Sequence, residues 1–355
     1  MNAFYPWQTE ILTALLKRWH SGQLPHALLF AGVEGIGKQH FAEQFARLLM
    51  CQHCHEDLRS AATALVSMMP CGVCQGCKLM KAGSHPDYQA VYSDEGKAIP
   101  IDTIRAVSEF LTLKSQLAPQ QVVIISPAEK MNRFSANSLL KTLEEPTPNT
   151  LLMLVTSRPD SLLPTIRSRC QSLVFHRPAM EQAGQWLREQ LLSQADLGAV
   201  IEDAEIQALL SLADRAPLKA LDYAKSGAIA LREKMISSLE KLVNQQVDPV
   251  TEAQAWSDAG VTQCIKWLLL WTMDMIRLKS AAVPVDNLIT KLGPVDSDHY
   301  RGQLQNLSEK IDLQHLFGYL DKLTQNLRLL ETQTNQQLMM EDLLISWSRL
   351  SRLGG

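Results

Sequence analysis

The sequence predicts an α/β domain built on a parallel sheet, with an inserted cysteine-rich module, followed by a region made only of helices. Three observations support this prediction. A glycine-rich turn lies between an apolar strand pattern and a helical pattern, close to Gly32. Strand and helix patterns then alternate up to about residue 178, which is typical of a parallel sheet. Beyond that residue the apolar side chains recur at helical spacing only.

The elements of the first region follow one another in a regular order. Apolar residues at helical spacing predict a first helix over 8–20. Strands are predicted at 26–31, 86–92, 121–125, 151–156 and 172–175. Helices between them are predicted at 39–49, 101–113, 135–143 and 162–167. The strand at 121–125 is a nearly continuous apolar run, as expected of a strand that is buried on both faces.

The second region has helical patterns at 181–193, 203–213, 217–246, 260–281, 311–331 and 337–352. We predict an α/β domain over 1–178, with the cysteine-rich module at about 51–77, a small helical domain over 179–227 and a C-terminal helical domain over 228–355. The stretch 261–279 is apolar on nearly all sides, which indicates deep burial. It is interpreted either as the core of its own domain or as a subunit interface.

Charge and hydropathy restrict the classes of function. The formal net charge of -3 argues against non-specific nucleic-acid binding by the whole surface, although a local basic strip is compatible with it. The most apolar stretch is interrupted by Lys266 and Asp274 and is too short to span a bilayer. The N-terminal residues lack the basic start and apolar core of a signal peptide. We therefore expect a cytoplasmic protein, in which clustered cysteines are metal ligands rather than disulfides.

The glycine-rich turn matches most of a Walker A loop, the phosphate-binding loop of nucleotide hydrolases. Its candidate phosphate-binding residues are Gly32, Gly35, Gly37 and Lys38. Backbone N–H groups of such a loop surround phosphate, and the lysine reaches the terminal phosphates. The next residue normally holds Mg²⁺ through a Ser or Thr hydroxyl, but here it is Gln39. Residual nucleotide binding and a simple strand-to-helix turn are both compatible with this pattern.

The residues after the strand at 121–125 indicate that ATP is not hydrolysed. A hydrolase needs an Asp for Mg²⁺ and usually a Glu for water at this point, whereas this chain has Ser126 and Pro127. The nearest acid is Glu129. We interpret residues 126–129 as a capping box with proline at the first helical position, so that Glu129 has a structural role.

Five cysteines lie close together in the sequence. They are Cys51, Cys54, Cys71, Cys74 and Cys77, with His53 and His55 alongside. A structural zinc site takes four ligands in a tetrahedron, and short CxxC turns supply them. We expect structural zinc rather than redox chemistry, since no thioredoxin-like unit surrounds the cysteines. A DNA-binding zinc finger is disfavoured because no basic recognition helix follows.

Four segments in order, HALLFAGVEGIGK, the cysteine cluster, LLKTLEEP and LLMLVTSRPDSLLPTIRSRC, resemble the AAA+ clamp-loader family. The resemblance is strong over residues 5–178 and continues through the helical remainder by order and length. It implies a AAA+ fold for the first domain, a helical lid for the second and a collar for the third. In this family the collar holds a ring of five subunits together.

The resemblance implies roles for individual residues. Arg169 would be the arginine finger that reaches a neighbouring subunit's ATP, and Ser168 would orient its loop. A surface or ion-paired arginine is the alternative. Cys170 would be buried and would contribute to packing of the core. Thr156 and Lys219 would occupy the sensor 1 and sensor 2 positions.

For the metal, the resemblance implies the ligands Cys51, Cys71, Cys74 and Cys77, with Cys54 or a histidine as the alternative fourth ligand. The departures at Gln39, Ser126 and Pro127 distinguish the chain from the family's motor subunit. They imply a non-catalytic subunit of a DNA-directed DNA polymerase holoenzyme, with structural zinc and with ATP binding left open.

The implied partners are gamma/tau-type motor subunits and a delta-type subunit in a hetero-pentamer. The chain would contact the sliding clamp and primer-template DNA through that complex. No membrane partner is implied. Lys130, Arg133 and Lys141 are either DNA-facing residues or solvated helix faces. Two other hypotheses are an autonomous AAA+ ATPase with a degenerate Walker site and a zinc-dependent nucleic-acid-binding module.

Overall fold

The computed structural model describes residues 4–54, 69–93, 97–193, 202–281, 300–330 and 335–350. They form two compact units. The first is drawn from Met1–Ala199 with Arg215–Ala220, and the second from Val200–Asp214 with Leu221–Gly355. The three domains expected from the sequence, with their two boundaries near residues 178 and 227, stay a prediction.

The first unit is built on a five-stranded parallel sheet, as predicted. Its strands are β1 Ala27–Ala31, β2 Tyr88–Tyr92, β3 Gln121–Ser126, β4 Thr150–Thr156 and β5 Gln171–Val174. Their order across the sheet is β2-β3-β4-β1-β5, and every neighbouring pair is parallel. The carboxyl ends of the central strands therefore meet at one edge, which is where ligands bind in open α/β sheets.

The helices of the first unit lie between these strands. They are α1 Thr9–His20, α2 Lys38–Met50, α3 Gln75–Ala82, α4 Ile101–Thr112, α5 Arg133–Glu144, α6 Pro164–Arg169 and α7 Met180–Leu192. The predicted helices are confirmed to within two residues at most ends. Helix α3 was not predicted, because it begins inside the cysteine cluster. Cys74 caps its N-terminus by accepting a hydrogen bond from the Cys77 backbone N–H.

The sheet of the first unit has a hydrophobic core on each face. Phe30, Phe41 and Phe45 are buried in one core, and Val107 and Leu139 are buried in the other. All six residues of β3 are buried, which confirms the interpretation of its apolar run. The sheet is thus held firmly on both sides, and it fixes the positions of the loops at its carboxyl edge.

The described residues of the second unit contain helices and no strand. The helices after α7 are α8 Asp203–Leu212, α9 Pro217–Lys225, α10 Ala228–Val243, α11 Pro249–Ala281, α12 Arg301–Lys310, α13 Leu313–Leu329 and α14 Gln336–Arg349. The pattern at 217–246 is divided by Gly227, whose φ of 65° ends one helix and begins the next. Helix α12 was missed because its sequence, RGQLQNLSEK, has only two large apolar residues.

The apolar stretch of α11 forms part of the core of its own unit. Trp267 and Trp271 are fully buried, whereas Leu270 is 41% exposed. The guanidinium of Arg232 lies between aromatic rings, 5.5 Å from the Trp267 centroid and 5.1 Å from the Trp271 centroid. Arg232 is itself buried. Its cation–π contacts with these rings explain how the charge is accommodated there. Of the two interpretations of the stretch, the core is confirmed.

No helix in the described ranges has the length and the hydropathy needed to cross a bilayer.

Candidate functional site

The glycine-rich loop connects the end of β1 to the start of α2 and has little room for side chains. Gly37 is the N-cap of α2 and has a φ of 85°. A Cβ atom there would lie 2.5 Å from Cε2 of Tyr5, and a Cβ at Gly35 would lie 2.6 Å from Cβ of Lys219. These two glycines therefore let neighbouring segments pack directly on the loop backbone.

The N-terminal segment fixes the carbonyl groups of the loop. The Trp7 indole N–H donates to the Ile36 carbonyl at 3.0 Å. The buried side-chain amide of Gln8 donates to the Gly37 carbonyl, also at 3.0 Å. Tyr5 stacks on Trp7 with 5.0 Å between ring centroids. The loop conformation is thus maintained by the protein itself. No sequence motif identified this segment.

Lys38 is directed back to its own loop. Its side chain is buried, and the residue is 5% exposed. The Nζ atom donates to the Val33 carbonyl at 2.6 Å and to the Ser157 hydroxyl at 3.0 Å. Burial lowers the pKa of Lys38 to about 8, although Glu129 and Glu34 act in the opposite direction. Two of the three N–H donors of the ammonium group are therefore already used within the protein.

Gln39 and Ser126 lie at the two positions where a hydrolase would hold Mg²⁺, and here their side chains bond to each other. The Ser126 hydroxyl, at the end of β3, donates to the side-chain carbonyl of Gln39 at 3.1 Å. The Gln39 amide in turn donates to the Glu43 carboxylate at 3.0 Å. The same carboxylate oxygen accepts a hydrogen bond of 2.7 Å from Tyr92. A continuous hydrogen-bonded chain therefore connects α2 with β3 and β2.

The capping box predicted for Glu129 is wrong. The helix at this point is a single 3-10 turn, Ala128–Lys130, and its N-cap is Pro127, with no side-chain cap. Ser126 cannot cap the turn because it is the last residue of β3 and its hydroxyl bonds to Gln39. Glu129 instead accepts a 3.0 Å hydrogen bond from the Ser157 backbone N–H. It holds the end of β4 in place.

A cavity of about 420 Å³ lies over the loop, within the size range of small-molecule sites. The lining includes loop and strand-end residues: Gly35, Gly37, Lys38, Gln39, Ser126, Thr156 and Ser157. Thr156 is fully buried, and its hydroxyl accepts a hydrogen bond from the Arg158 backbone N–H. Gly32 is outside the lining and packs against Phe175. The structure thus brings three of the four candidate loop residues to one cavity.

Arg169 is the last residue of α6 and is outside the lining of that cavity. Its Nη2 atom lies 2.7 Å from Oε1 of Glu144, and its side chain is 35% exposed. Its Nη1 atom donates to the Thr165 carbonyl at 3.0 Å. The Ser168 hydroxyl bonds to the same carbonyl, at 3.1 Å. In the isolated chain Arg169 is therefore an ion-paired and partly exposed arginine. Cys170 is buried, as expected, and burial raises its pKa to about 12.

The structure brings together four cysteines, namely Cys51, Cys71, Cys74 and Cys77, whose sulfur atoms all lie within 4.8 Å of one another. The sulfur atoms of Cys71 and Cys77 are 3.9 Å apart. Tetrahedral Zn–S bonds of about 2.3 Å require an S–S distance of about 3.8 Å. The arrangement therefore fits a four-coordinate metal ion. Cys54 is outside the group, and its thiol bonds to the Met69 carbonyl.

Two thiols of this cluster have pKa values that are shifted in opposite directions. Hydrogen bonds, the strongest from the Cys74 backbone N–H, lower the pKa of Cys71 to about 5. Burial has the opposite effect on Cys77 and raises its pKa. A divalent cation between the sulfur atoms would stabilise every thiolate of the cluster together. The donor set offers no oxygen ligand, which favours a thiophilic metal.

Two family models match the chain. "DNA polymerase III, delta subunit" matches residues 7–179, and "DNA polymerase III, delta subunit, C terminal" matches residues 226–349. DNA polymerase III subunit delta' of Pseudomonas aeruginosa is 32% identical over 354 residues, which cover 99% of each chain. The chain belongs to the delta-prime family of DNA polymerase III subunits. The delta' subunit of Escherichia coli is 30% identical over 344 residues, covering 96% of this chain and 94% of that protein.

The chain is also similar to a second type of DNA polymerase III subunit. DNA polymerase III subunit tau/gamma of Haemophilus influenzae is 33% identical over 175 residues, which are 49% of this chain and 23% of that protein.

For this delta-prime family member, several residues around the sites were not predictable from motifs. Gln8 and Ser157 contact the loop, and Glu144 contacts Arg169. Each of them bonds to a residue far away in the sequence. Two of them lie in segments that carry the family resemblance, Glu144 in LLKTLEEP and Ser157 in LLMLVTSRPDSLLPTIRSRC.

Proposed function

We propose that this delta-prime family member is a non-hydrolysing subunit of a DNA polymerase III clamp-loader complex. It helps to load the sliding clamp onto primed DNA and supplies Arg169 to the ATP site of a neighbouring subunit. The observation that carries the proposal is the direct bond between Gln39 and Ser126, at the two positions where a hydrolase holds Mg²⁺.

The chemistry at the loop supports the absence of hydrolysis. Mg²⁺ prefers oxygen ligands in near-octahedral geometry, and hydrolysis needs an acid to orient the attacking water. Gln39 and Ser126 bond to each other, and Glu129 bonds to a backbone N–H. Gly32, Gly35, Gly37 and Lys38 keep the frame of a phosphate site. Lys38 already donates to Val33 and Ser157, which leaves one of its three N–H donors for a phosphate.

The position of Arg169 supports action on another subunit. The residue is outside the lining of its own chain's cavity, and its side chain is partly exposed. A guanidinium is permanently charged and forked, and it stabilises charge on a transferred γ-phosphate. Ser168, which bonds to the same carbonyl as Arg169, orients the end of α6.

The metal in this proposal is zinc, held by Cys51, Cys71, Cys74 and Cys77. A four-thiolate site leaves no open position for a substrate, so the ion would be structural. It would connect the end of α2 to the N-terminus of α3, since Cys51 is the C-cap of one and Cys74 the N-cap of the other.

The proposed partners are gamma/tau-type motor subunits and a delta-type subunit in a hetero-pentamer in the cytoplasm. The sliding clamp and primer-template DNA would be met through that complex. Residues 179–227 would act as the lid and 228–355 as the collar.

Two measurements test the proposal. ATP turnover by the pure chain should equal that of a Lys38→Ala variant, because neither would hydrolyse ATP. Turnover that is lost in Lys38→Ala would instead support an autonomous ATPase.

The second measurement is native mass spectrometry of the complex purified through this chain. The mass should correspond to a complex that contains motor-type and delta-type subunits. A purely monomeric chain under the same conditions would contradict the clamp-loader role.

A further inference from the structure

The C-terminal ends of α5 and α6 meet at an ion pair. Glu144 is the last residue of α5, and Arg169 is the last residue of α6. The Glu144 carboxylate lies 2.7 Å from Nη2 of Arg169, with side-chain exposures of 51% and 35% respectively. The other terminal nitrogen of the guanidinium is bonded to Thr165. Glu144 and Thr165 therefore accept from the two terminal nitrogens of the guanidinium.

The location of Glu144 is not explained by the stability of its own helix. The C-terminus of a helix carries partial negative charge and disfavours a carboxylate. The positive charge of Arg169 compensates for this, and Arg169 in turn lies favourably at the C-terminus of α6. The carboxylate is therefore better explained by its partner than by α5.

We propose that Glu144 is a positioning residue that holds Arg169 in the place of a γ-phosphate until a neighbour's ATP replaces it. This inference rests on the proposed function of Arg169. Carboxylate and phosphate oxygens are both matched by the guanidinium fork. A γ-phosphate carries more negative charge than a carboxylate, so it displaces Glu144 when the neighbouring site is filled.

Replacing Glu144 by a γ-phosphate at Arg169 costs little free energy, because the ion pair is partly exposed to water. Exposed ion pairs have small net energies, which correspond to a change of roughly twofold to fivefold in an equilibrium constant. Glu144 thus competes weakly with ATP for Arg169. Once the phosphate has replaced it, Glu144 makes no further contribution to the reaction.

The test is a Glu144→Gln variant in the assembled complex. Glutamine keeps the size and a hydrogen-bonding oxygen but removes the charge. With clamp and primed DNA present, we expect the KM for ATP to fall by about twofold to fivefold and kcat to stay unchanged. Any other pattern, including an unchanged or raised KM or a lowered kcat, overturns the inference. A structural role alone would not give this split between KM and kcat.

Glu145→Gln is the matched control, because Glu145 is the adjacent exposed carboxylate. It should leave both constants unchanged, and the inference also fails if it lowers KM as much as Glu144→Gln does.

An Arg169→Ala complex is measured in parallel. Full ATPase activity in that complex would refute the proposed function. Lost activity there, together with an unchanged KM in Glu144→Gln, would refute only the role of Glu144.

Discussion

The hydroxyl of Ser126 donates a hydrogen bond to the side-chain carbonyl of Gln39, with 3.1 Å between the two oxygen atoms. Ser126 ends β3 and lies where a hydrolase carries its Mg²⁺-binding acid, and Gln39 follows the loop lysine. The amide of Gln39 also bonds to Glu43. The two side chains that stand where a hydrolase holds Mg²⁺ are therefore bonded to protein groups instead.

The first prediction concerns restoration of that metal site. The double variant Gln39→Thr with Ser126→Asp should bind Mg²⁺-ATP about tenfold more tightly than the natural chain, equivalent to ~1.4 kcal/mol. It supplies a hydroxyl and a carboxylate for Mg²⁺ and removes the bond between the two positions. Isothermal titration calorimetry with and without Mg²⁺ measures the change. The control is Gln39→Ala, which breaks the same bond but should gain no Mg²⁺ dependence. Equal binding by the natural chain and the double variant would contradict the prediction.

The second prediction concerns Lys38 and pH. Its pKa is lowered from 10.5 to about 8, chiefly by burial. The unfolded chain therefore holds this proton more tightly than the folded chain does. Stability should rise as pH increases from about 8 to 10.5, because the folded state no longer buries a charge. The lowered pKa corresponds to about 3 kcal/mol at most.

A Lys38→Met variant tests this prediction. The difference in unfolding free energy between the natural chain and the variant should shift in favour of the natural chain across that pH range. Urea denaturation at several pH values measures it. Other titrating groups, tyrosines included, cancel in the difference. A difference that is flat with pH would show that Lys38 is not buried as described.

The third prediction concerns the cysteine cluster. Elemental analysis should find about one zinc per chain, as one tetrahedral thiolate site requires. Cys71→Ser should lose the zinc and unfold at lower temperature, because metal binding contributes to folding. Cys54→Ser is the matched control, since its sulfur is outside the cluster. Loss of zinc from Cys54→Ser with retention in Cys71→Ser would contradict the ligand assignment.

The sequence predicted those features that depend on local periodicity and on spacing. The strands of the sheet and the glycine-rich loop follow from buried apolar runs and from the position of Gly37. The helix Arg301–Lys310 was missed because Leu304 and Leu307 alone give a weak apolar face. Local patterns therefore located the elements but not every helix.

Contacts between distant residues decided the rest of the candidate site. The interpretation of Glu129 as a cap failed because the hydroxyl of Ser126 bonds to Gln39, across the sheet edge. The partner of Arg169 could not be deduced either, because Glu144 reaches it only after α5 and α6 have packed. Lys38 was expected to point at phosphate, and its bond to Ser157 depends on how β1 and β4 pair. None of these contacts has a sequence signature.

The central claim is that Arg169 acts on a neighbouring subunit's ATP. Its most direct test is ATP hydrolysis by the assembled complex containing Arg169→Ala, with clamp and primed DNA present. We expect hydrolysis to fall by about 10³-fold or more at the neighbouring site. Native mass spectrometry should show that the variant complex is still assembled. Arg167→Ala, two residues away in the same helix and paired with Asp160, should keep normal activity. Normal hydrolysis by the Arg169→Ala complex would contradict the claim.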